Sequence, residues 1–210
     1  MLGKLPESLG HALQAQRAGL DKILCNRIDL RDGTARLDVM SLAFADHGSI
    51  PMQYTADGDG TSPPLSWRGV PRGTVSLALI VEDADSPTPE PLVHAIAVDI
   101  DPQRDALANG DLMEETDASG VNLGRNSYLR QAWLPPDPPP GHGPHRYAFQ
   151  VFALIAGEPF SKAPGRDELA DAVRERAIAS GCLIGAYERD NKIKIENTQS
   201  AAIDTAAAAQ

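Results

Sequence analysis

Apolar and polar residues alternate at short range through the middle of the chain. Arg36-Leu37-Asp38-Val39 has the period of a half-buried strand, and Ile50, Met52 and Tyr54 repeat it. Two runs, residues 75–81 and 93–98, are apolar almost without a break, the pattern of central strands covered on both faces. Turn-forming residues stand between these runs: Asp57-Gly58-Asp59-Gly60, Pro63-Pro64, Pro71-Arg72-Gly73 and Ser86-Pro87-Thr88-Pro89. Residues 146–156 predict the strongest strand. There Tyr147, Phe149, Val151, Ala153 and Ile155 share one face, and Phe152 and Leu154 lie on the other.

The two ends follow a different period. Leu9, Leu13, Leu20 and Leu24 fall near one face of an amphipathic helix over residues 5–26, with Ala12, Gln16 and Ile23 beside them. Such a stripe has to be covered, either by the chain's own domain or by a partner chain. Arg31-Asp32-Gly33 breaks the pattern. A second helix is expected over residues 167–180, with Leu169, Val173 and Ala177 in register and Gly181 to end it. Residues 182–187 then form a last short strand. Residues 101–134 follow no period and read as a long irregular connection. Six prolines among residues 135–144 fix φ and remove amide donors, so that stretch is a stiff extended loop, neither helix nor central strand. Strands in the centre and helices at the ends give a mainly β, or α+β, class. The expected division is an amphipathic helical extension at 1–35, a central domain at 36–190 and a flexible, low-complexity tail at 191–210.

Composition narrows the function classes. The 210 residues carry 19 Lys and Arg against 29 Asp and Glu, a formal charge of -10. That balance argues against sequence-independent nucleic-acid binding and against a polybasic membrane anchor. Hydrophobic residues make up 42%, enough for a core without disulfide or metal staples. Two cysteines, Cys25 and Cys182, are too few for a disulfide framework or a zinc cluster and read as buried free thiols rather than one disulfide. No apolar run approaches the roughly 20 residues of a membrane span. The N-terminus lacks the continuous apolar core and cleavage site of a signal peptide, so the expected location is the cytoplasm.

Chemistry collects where strands meet stiff loops. Asp83 and Asp85 close an apolar strand two residues apart, a spacing that in extended backbone points both carboxylates the same way. Paired carboxylates invite a proton, a cation or a histidinium between them. His94 opens the next apolar strand, and His145-Arg146-Tyr147 emerges from the proline loop. If these strands are neighbours, two imidazoles and two carboxylates converge at one sheet end. The residues alone leave ordinary roles open: a satisfied core histidine, an Asp-x-Asp turn, a stiff connector, an ion pair for Arg146. No nucleophile elbow, phosphate loop, dinucleotide turn or His-Glu-x-x-His occurs. His142 and His145 are three apart, but Pro144 between them excludes helical metal-ligand geometry.

Four motifs in order resemble the phosphatidylethanolamine-binding protein family, in its bacterial Raf-kinase-inhibitor-like branch. They are Asp59-Gly60-Thr61-Ser62-Pro63-Pro64-Leu65-Ser66-Trp67 with Val70-Pro71, then Asp83-Ala84-Asp85-Ser86-Pro87, then His94 and its strand, and then Pro138-Pro139, Gly141 and His145-Arg146-Tyr147. The resemblance spans roughly residues 36–190. Ala84 and Ser86 stand where the family has Pro and Ala, and His94 lacks the aromatic neighbours common there. The resemblance implies two β-sheets with a few peripheral helices and a small anion pocket lined by Asp83, Asp85, Pro87, His94, Pro138, Pro139, His145 and Tyr147. It also implies a cis Ser86–Pro87 bond. In that pocket two imidazoles would donate to a phosphate or phosphoryl-bearing ligand while carboxylates favour their protonated forms.

Three functions follow as expectations. The first is a non-enzymatic binding or regulatory protein for such a ligand, without cofactor or metal. The second is a metal-assisted hydrolase using Asp83, His94 and His145. The third is an interaction protein that dimerises through the N-terminal helix and whose pocket is vestigial.

Overall fold

Three long strands with few polar residues at their centres set the architecture. The computed structural model describes residues 2–28, 34–113 and 121–189. In chain order the elements are α1 (Glu7–Leu13), α2 (Leu24–Arg27), β1 (Ala35–Arg36), β2 (Asp38–Met40), β3 (Gly48–Ser49), β4 (Leu65–Arg68), β5 (Ser76–Asp83), β6 (Leu92–Ile100), β7 (Ala106–Leu107), β8 (Asn122–Leu123), β9 (His145–Leu154), α3 (Arg166–Arg176) and β10 (Ala177–Tyr187). The large sheet runs β1-β10-β9-β5-β6-β8, with β3 also paired to β10; a small sheet runs β2-β4-β7. The protein is therefore mainly β, two sheets with few helices, as expected.

Strand alternation divides the core into two layers. Leu77, Leu79, Val81, Phe149, Val151 and Ala153 face Val39, Leu65, Trp67 and Leu107 of the small sheet. On the opposite face Ala78, Ile80, Phe152 and Leu154 pack with Leu24 and Ile28 at α2 and Leu169 and Val173 of α3. Large side chains fully removed from water in this way contribute about 1.5–3 kcal/mol each.

Three expected elements differ. The N-terminal helix is not continuous: α1 and α2 are separated by Gly19 at φ 104° and a 3₁₀ turn at Leu20–Lys22. The Ala18 and Gly19 amides bond to the carbonyls of Ser86 and Ala84 instead of to a preceding helical turn. Of the apolar stripe, Ile23 and Leu24 are buried by the chain itself, Leu13 and Leu20 are half-buried and Leu9 is exposed. The alternation at Ile50, Met52 and Tyr54 makes no strand over 52–54, because Pro51 at φ -58° starts a 3₁₀ turn, Met52–Tyr54. The second helix stops at Arg176, and β10 begins at Ala177, far ahead of residue 182. Gly181 sits in mid-strand instead of ending the helix. A Cβ there would lie 2.3 Å from the Leu37 carbonyl oxygen, so glycine lets β10 pass close to the chain between β1 and β2. The break at residues 31–33 and the C-terminal tail lie outside the described residues.

One buried polar cluster ties the helices to the sheet. Glu82 is fully buried on the helix-covered face. It accepts from the Leu24 amide at 2.7 Å, from Gln150 Nε2 at 2.8 Å and from Arg166 Nε at 2.6 Å. Removing one partner of such a cluster leaves the others desolvated and unpaired. Glu82→Ala is expected to cost about 3 kcal/mol in urea denaturation, whereas Glu158→Ala on the exposed surface should change stability by less than about 0.5 kcal/mol.

Candidate functional site

Asp83 closes β5, and Tyr147 stands directly opposite it on β9. His145, two residues before Tyr147, shares its face. His94 reaches that face by a different route. The β5–β6 register shifts between Val81, which faces Ala95, and Glu82, which faces Val93, so β6 carries a bulge at His94. Val93 consequently packs with Ile96 and Val98 on the helix side, while Ala95 and Ala97 face the small sheet. The His94 ring lies edge-on to Tyr147 with centroids 5.1 Å apart, and 6.1 Å from the ring of Trp133.

The two carboxylates diverge. Asp83 Oδ1 accepts the Asp85 amide at 2.9 Å, a turn that ends the extended backbone and sends Asp85 outward. Arg146 donates to Asp85 through its amide, Nε and Nη2 at 2.9, 2.7 and 2.7 Å, and Arg17 stands 3.1 Å away. Burial pushes the Asp85 carboxyl up, but the combined arginine bonds outweigh it and hold its pKa below the usual carboxylate value. Asp85 is thus an ion-pair anchor and does not line the cavity described below.

Asp83 instead begins a chain of imidazoles. His145 Nδ1 is 2.7 Å from Asp83 Oδ2, and His145 Nε2 is 2.7 Å from His142 Nδ1. His142 Nε2 faces the Leu13 and Gln16 carbonyls at 2.9 and 3.2 Å. Carbonyls only accept, so His142 Nε2 carries the proton. Burial, followed by the neighbouring His145, lowers the His142 pKa and keeps that ring neutral, which makes its Nδ1 an acceptor. His145 must therefore donate from Nε2, and one further proton lies between His145 Nδ1 and Asp83. The Asp83–His145 pair is net neutral, and both of its ring nitrogens are engaged.

His94 differs in having one nitrogen to spare. Its Nδ1 donates to the Leu134 carbonyl at 2.6 Å, so in the neutral ring Nε2 is an acceptor. Burial lowers the His94 pKa, against the opposing pull of Asp83 and the Leu134 carbonyl. His94 Nε2, the Tyr147 hydroxyl and Trp133 Nε1 are buried without a hydrogen-bond partner. Burial, reinforced by the Asp83 charge, raises the Tyr147 pKa, so its hydroxyl remains a donor.

In front of His94 and Asp83 is a cavity of about 260 Å³. Ala56, Leu92, Leu134, Pro135 and Tyr128 give it apolar walls, and Gly58, Asp59, Gly60 and Asp137 complete the lining. Asp137 is paired with Arg189 at 2.7 Å. Of the expected pocket residues, Asp83 and His94 line this space. Tyr147 and His145 stand behind them, fully buried. Pro138 and Pro139 act through backbone, their carbonyls accepting Arg189 Nη1 at 3.1 Å and the His142 amide at 3.2 Å. Pro87 does not line the cavity, and its peptide bond is trans, since no cis bond occurs among the described residues.

The likeness reaches beyond these motifs. Residues 40–188 match the family model for phosphatidylethanolamine-binding protein. The chain belongs to the phosphatidylethanolamine-binding protein family. A UPF0098 protein of Aquifex aeolicus is 37% identical over 160 residues, covering 75% of this chain and 92% of that protein. The crystal structure of a phosphatidylethanolamine-binding protein homologue from Chlamydia trachomatis, CT736, has 33% identity and a TM-score of 0.66, covering 74% of this chain and 99% of that one. That of E. coli YbcL, described as a member of the mammalian family, has 27% identity and a TM-score of 0.69, covering 74% and 100%. No helix among the described residues is long and apolar enough to cross a membrane.

For a member of this family the metal alternative finds no support. Among the described residues no group of three His, Cys, Asp or Glu side chains is placed to hold an ion, and both His145 nitrogens are already bonded. Sequence reasoning missed Asp59, Asp137, Trp133 and the pairing role of His142. Asp59 belonged to a quoted turn motif, and Asp137 interrupts the proline run, so both could have been marked as polar exceptions in stiff loops. An unpartnered hydroxyl stabilises nothing in the free protein. Tyr147→Phe is therefore expected to change stability by less than about 1 kcal/mol in urea denaturation, whereas Phe149→Ala on the same strand costs about 3–5 kcal/mol.

Proposed function

We propose that the chain is a non-enzymatic binding protein whose cavity takes a small phosphoryl-bearing ligand in its protonated form, with a cationic group beside the phosphoryl. The observation that carries this reading is His94 Nε2, a spare buried acceptor on a residue that lines the cavity. A hydrogen-phosphate monoester matches it, giving its P–OH to His94. This differs from two donating imidazoles, because His145 is closed on Asp83 and His142. Asp59 on the wall favours a nearby ammonium group, Asp137 being paired with Arg189. A volume of about 260 Å³ suits a group of head-group size rather than a larger organic ligand. A chain with only two cysteines supports placing this activity in the cytoplasm.

The proton count gives a sign. Bound as monoanion to a neutral ring, or as dianion to a charged one, the ligand complex holds one proton more than the free dianion and the neutral His94. Asp83, His145 and Asp137 are the charged or titratable groups whose fields act on the ring. The second pKa of a phosphate monoester is near 6, so above about pH 6 the dissociation constant of phosphoethanolamine should rise about tenfold per pH unit. Calorimetric titration with phosphoethanolamine across roughly pH 6 to 8 reads this slope, with inorganic phosphate titrated beside it for comparison of affinity. His94→Ala should abolish binding of both, and Asp59→Asn should weaken phosphoethanolamine while leaving phosphate unchanged or tighter. Affinity independent of pH, or retained in His94→Ala, contradicts the proposal.

A further inference from the structure

Cys25 and Cys182 come from opposite ends of the chain and meet on the helix-covered side of the large sheet. Gln150 of β9 is directly paired with Cys182 of β10, so their side chains share a face. Gln150 Oε1 accepts the Cys25 amide at 2.7 Å, and the adjacent Leu24 amide is held by Glu82. These two bonds fix α2 over β10 with Cys25 above Cys182. Both side chains pack on Ile23, Ala84 and Ala148, and both remain partly exposed. The two thiols are neighbours across this cluster, and Cys25 Sγ also lies 3.7 Å from Asn26 Oδ1. Neither thiol takes part in the cavity around His94.

We propose that Cys25 and Cys182 form a reversible dithiol–disulfide site that reacts with small-molecule disulfides. Cys25 is the attacking thiol: it stands on the short helix α2, whereas Cys182 is held in β10 against β9, and the neighbouring sulfur lowers the Cys25 pKa. The Cys25 thiolate attacks one sulfur of the oxidant, whose S–S bond breaks and releases one thiolate. Cys182 gives its proton to that leaving group or to water and attacks Cys25 Sγ, expelling the second small thiolate. The protein loses two electrons and two protons, and the oxidant leaves as two thiols. The new bond clamps α2 to β10. It thereby restrains the segment whose Ala18 and Gly19 amides hold the loop after Asp83.

The test uses the full chain, reduced and then equilibrated with glutathione and glutathione disulfide at graded ratios, trapped by alkylation and mapped by mass spectrometry. Both thiols are expected to disappear together into one Cys25–Cys182 bridge within a monomer, with a higher Tm than the reduced protein and full reversal by dithiothreitol. Cys182→Ser should stop at a stable glutathione adduct on Cys25. Two thiols still alkylated at the most oxidising ratio, a bridge between two chains, or a lasting glutathione adduct on the unsubstituted protein would each overturn the proposal.

Discussion

The alternation of β9 between two covered faces is the constraint on which the rest depends. It pairs with β5 on one side and β10 on the other over most of its length. Its residues therefore go to one layer or the other with no face left for water. Phe149, Val151 and Ala153 build the sandwich with the small sheet, and Phe152 and Leu154 seat the helices. A slip of one residue would exchange these sets and bury each against the wrong partners, so register is strongly specified. The same alternation carries Tyr147 and His145 to the face where Asp83 ends β5. The position of the site follows from packing of the core.

The two faces treat their buried polar groups differently. On the helix side Glu82 is satisfied by a backbone amide, an amide side chain and a guanidinium. On the other side the chain from Asp83 through His145 to His142 closes on two carbonyls. Among the described residues, what remains buried and unpartnered is concentrated around one ring: His94 Nε2, the Tyr147 hydroxyl and Trp133 Nε1. Buried polar groups in folded proteins are nearly always paired, so three orphans within one aromatic cluster mark where the fold holds hydrogen-bonding capacity in reserve. Asp83 connects the two descriptions, since it neutralises His145 and also lines the cavity in front of His94.

Periodicity made the layered core legible. The runs at 75–81, 93–98 and 146–156 became β5, β6 and β9, and the stiff proline stretch stayed without regular structure. Motif order then placed Asp83, His94, His145 and Tyr147 at one end of the sheet. What alternation could not show was the bulge in β6. A strict period would set His94 with Ile96 and Val98, on the face opposite Tyr147; the extra residue returns it to the cavity side. The divergence of Asp83 and Asp85 was equally hidden, because it depends on a turn and on Arg146 and Arg17 approaching from two distant segments. The broken N-terminal helix and the long β10 have a common cause. In both, tertiary partners, the carbonyls of Ala84 and Ser86 and the edge of β9, override a helical pattern that is locally acceptable.

His94 lines the cavity with a neutral ring whose Nδ1 is committed to Leu134 and whose Nε2 is left as an acceptor. Nitrogen-15 NMR of the His94 ring in the ligand-free protein near neutral pH addresses this directly. A protonated Nδ1, an unprotonated Nε2 and a change at Nε2 alone when phosphoethanolamine is added are expected. A ring protonated at both nitrogens before ligand is added, or one with the proton on Nε2, would contradict it.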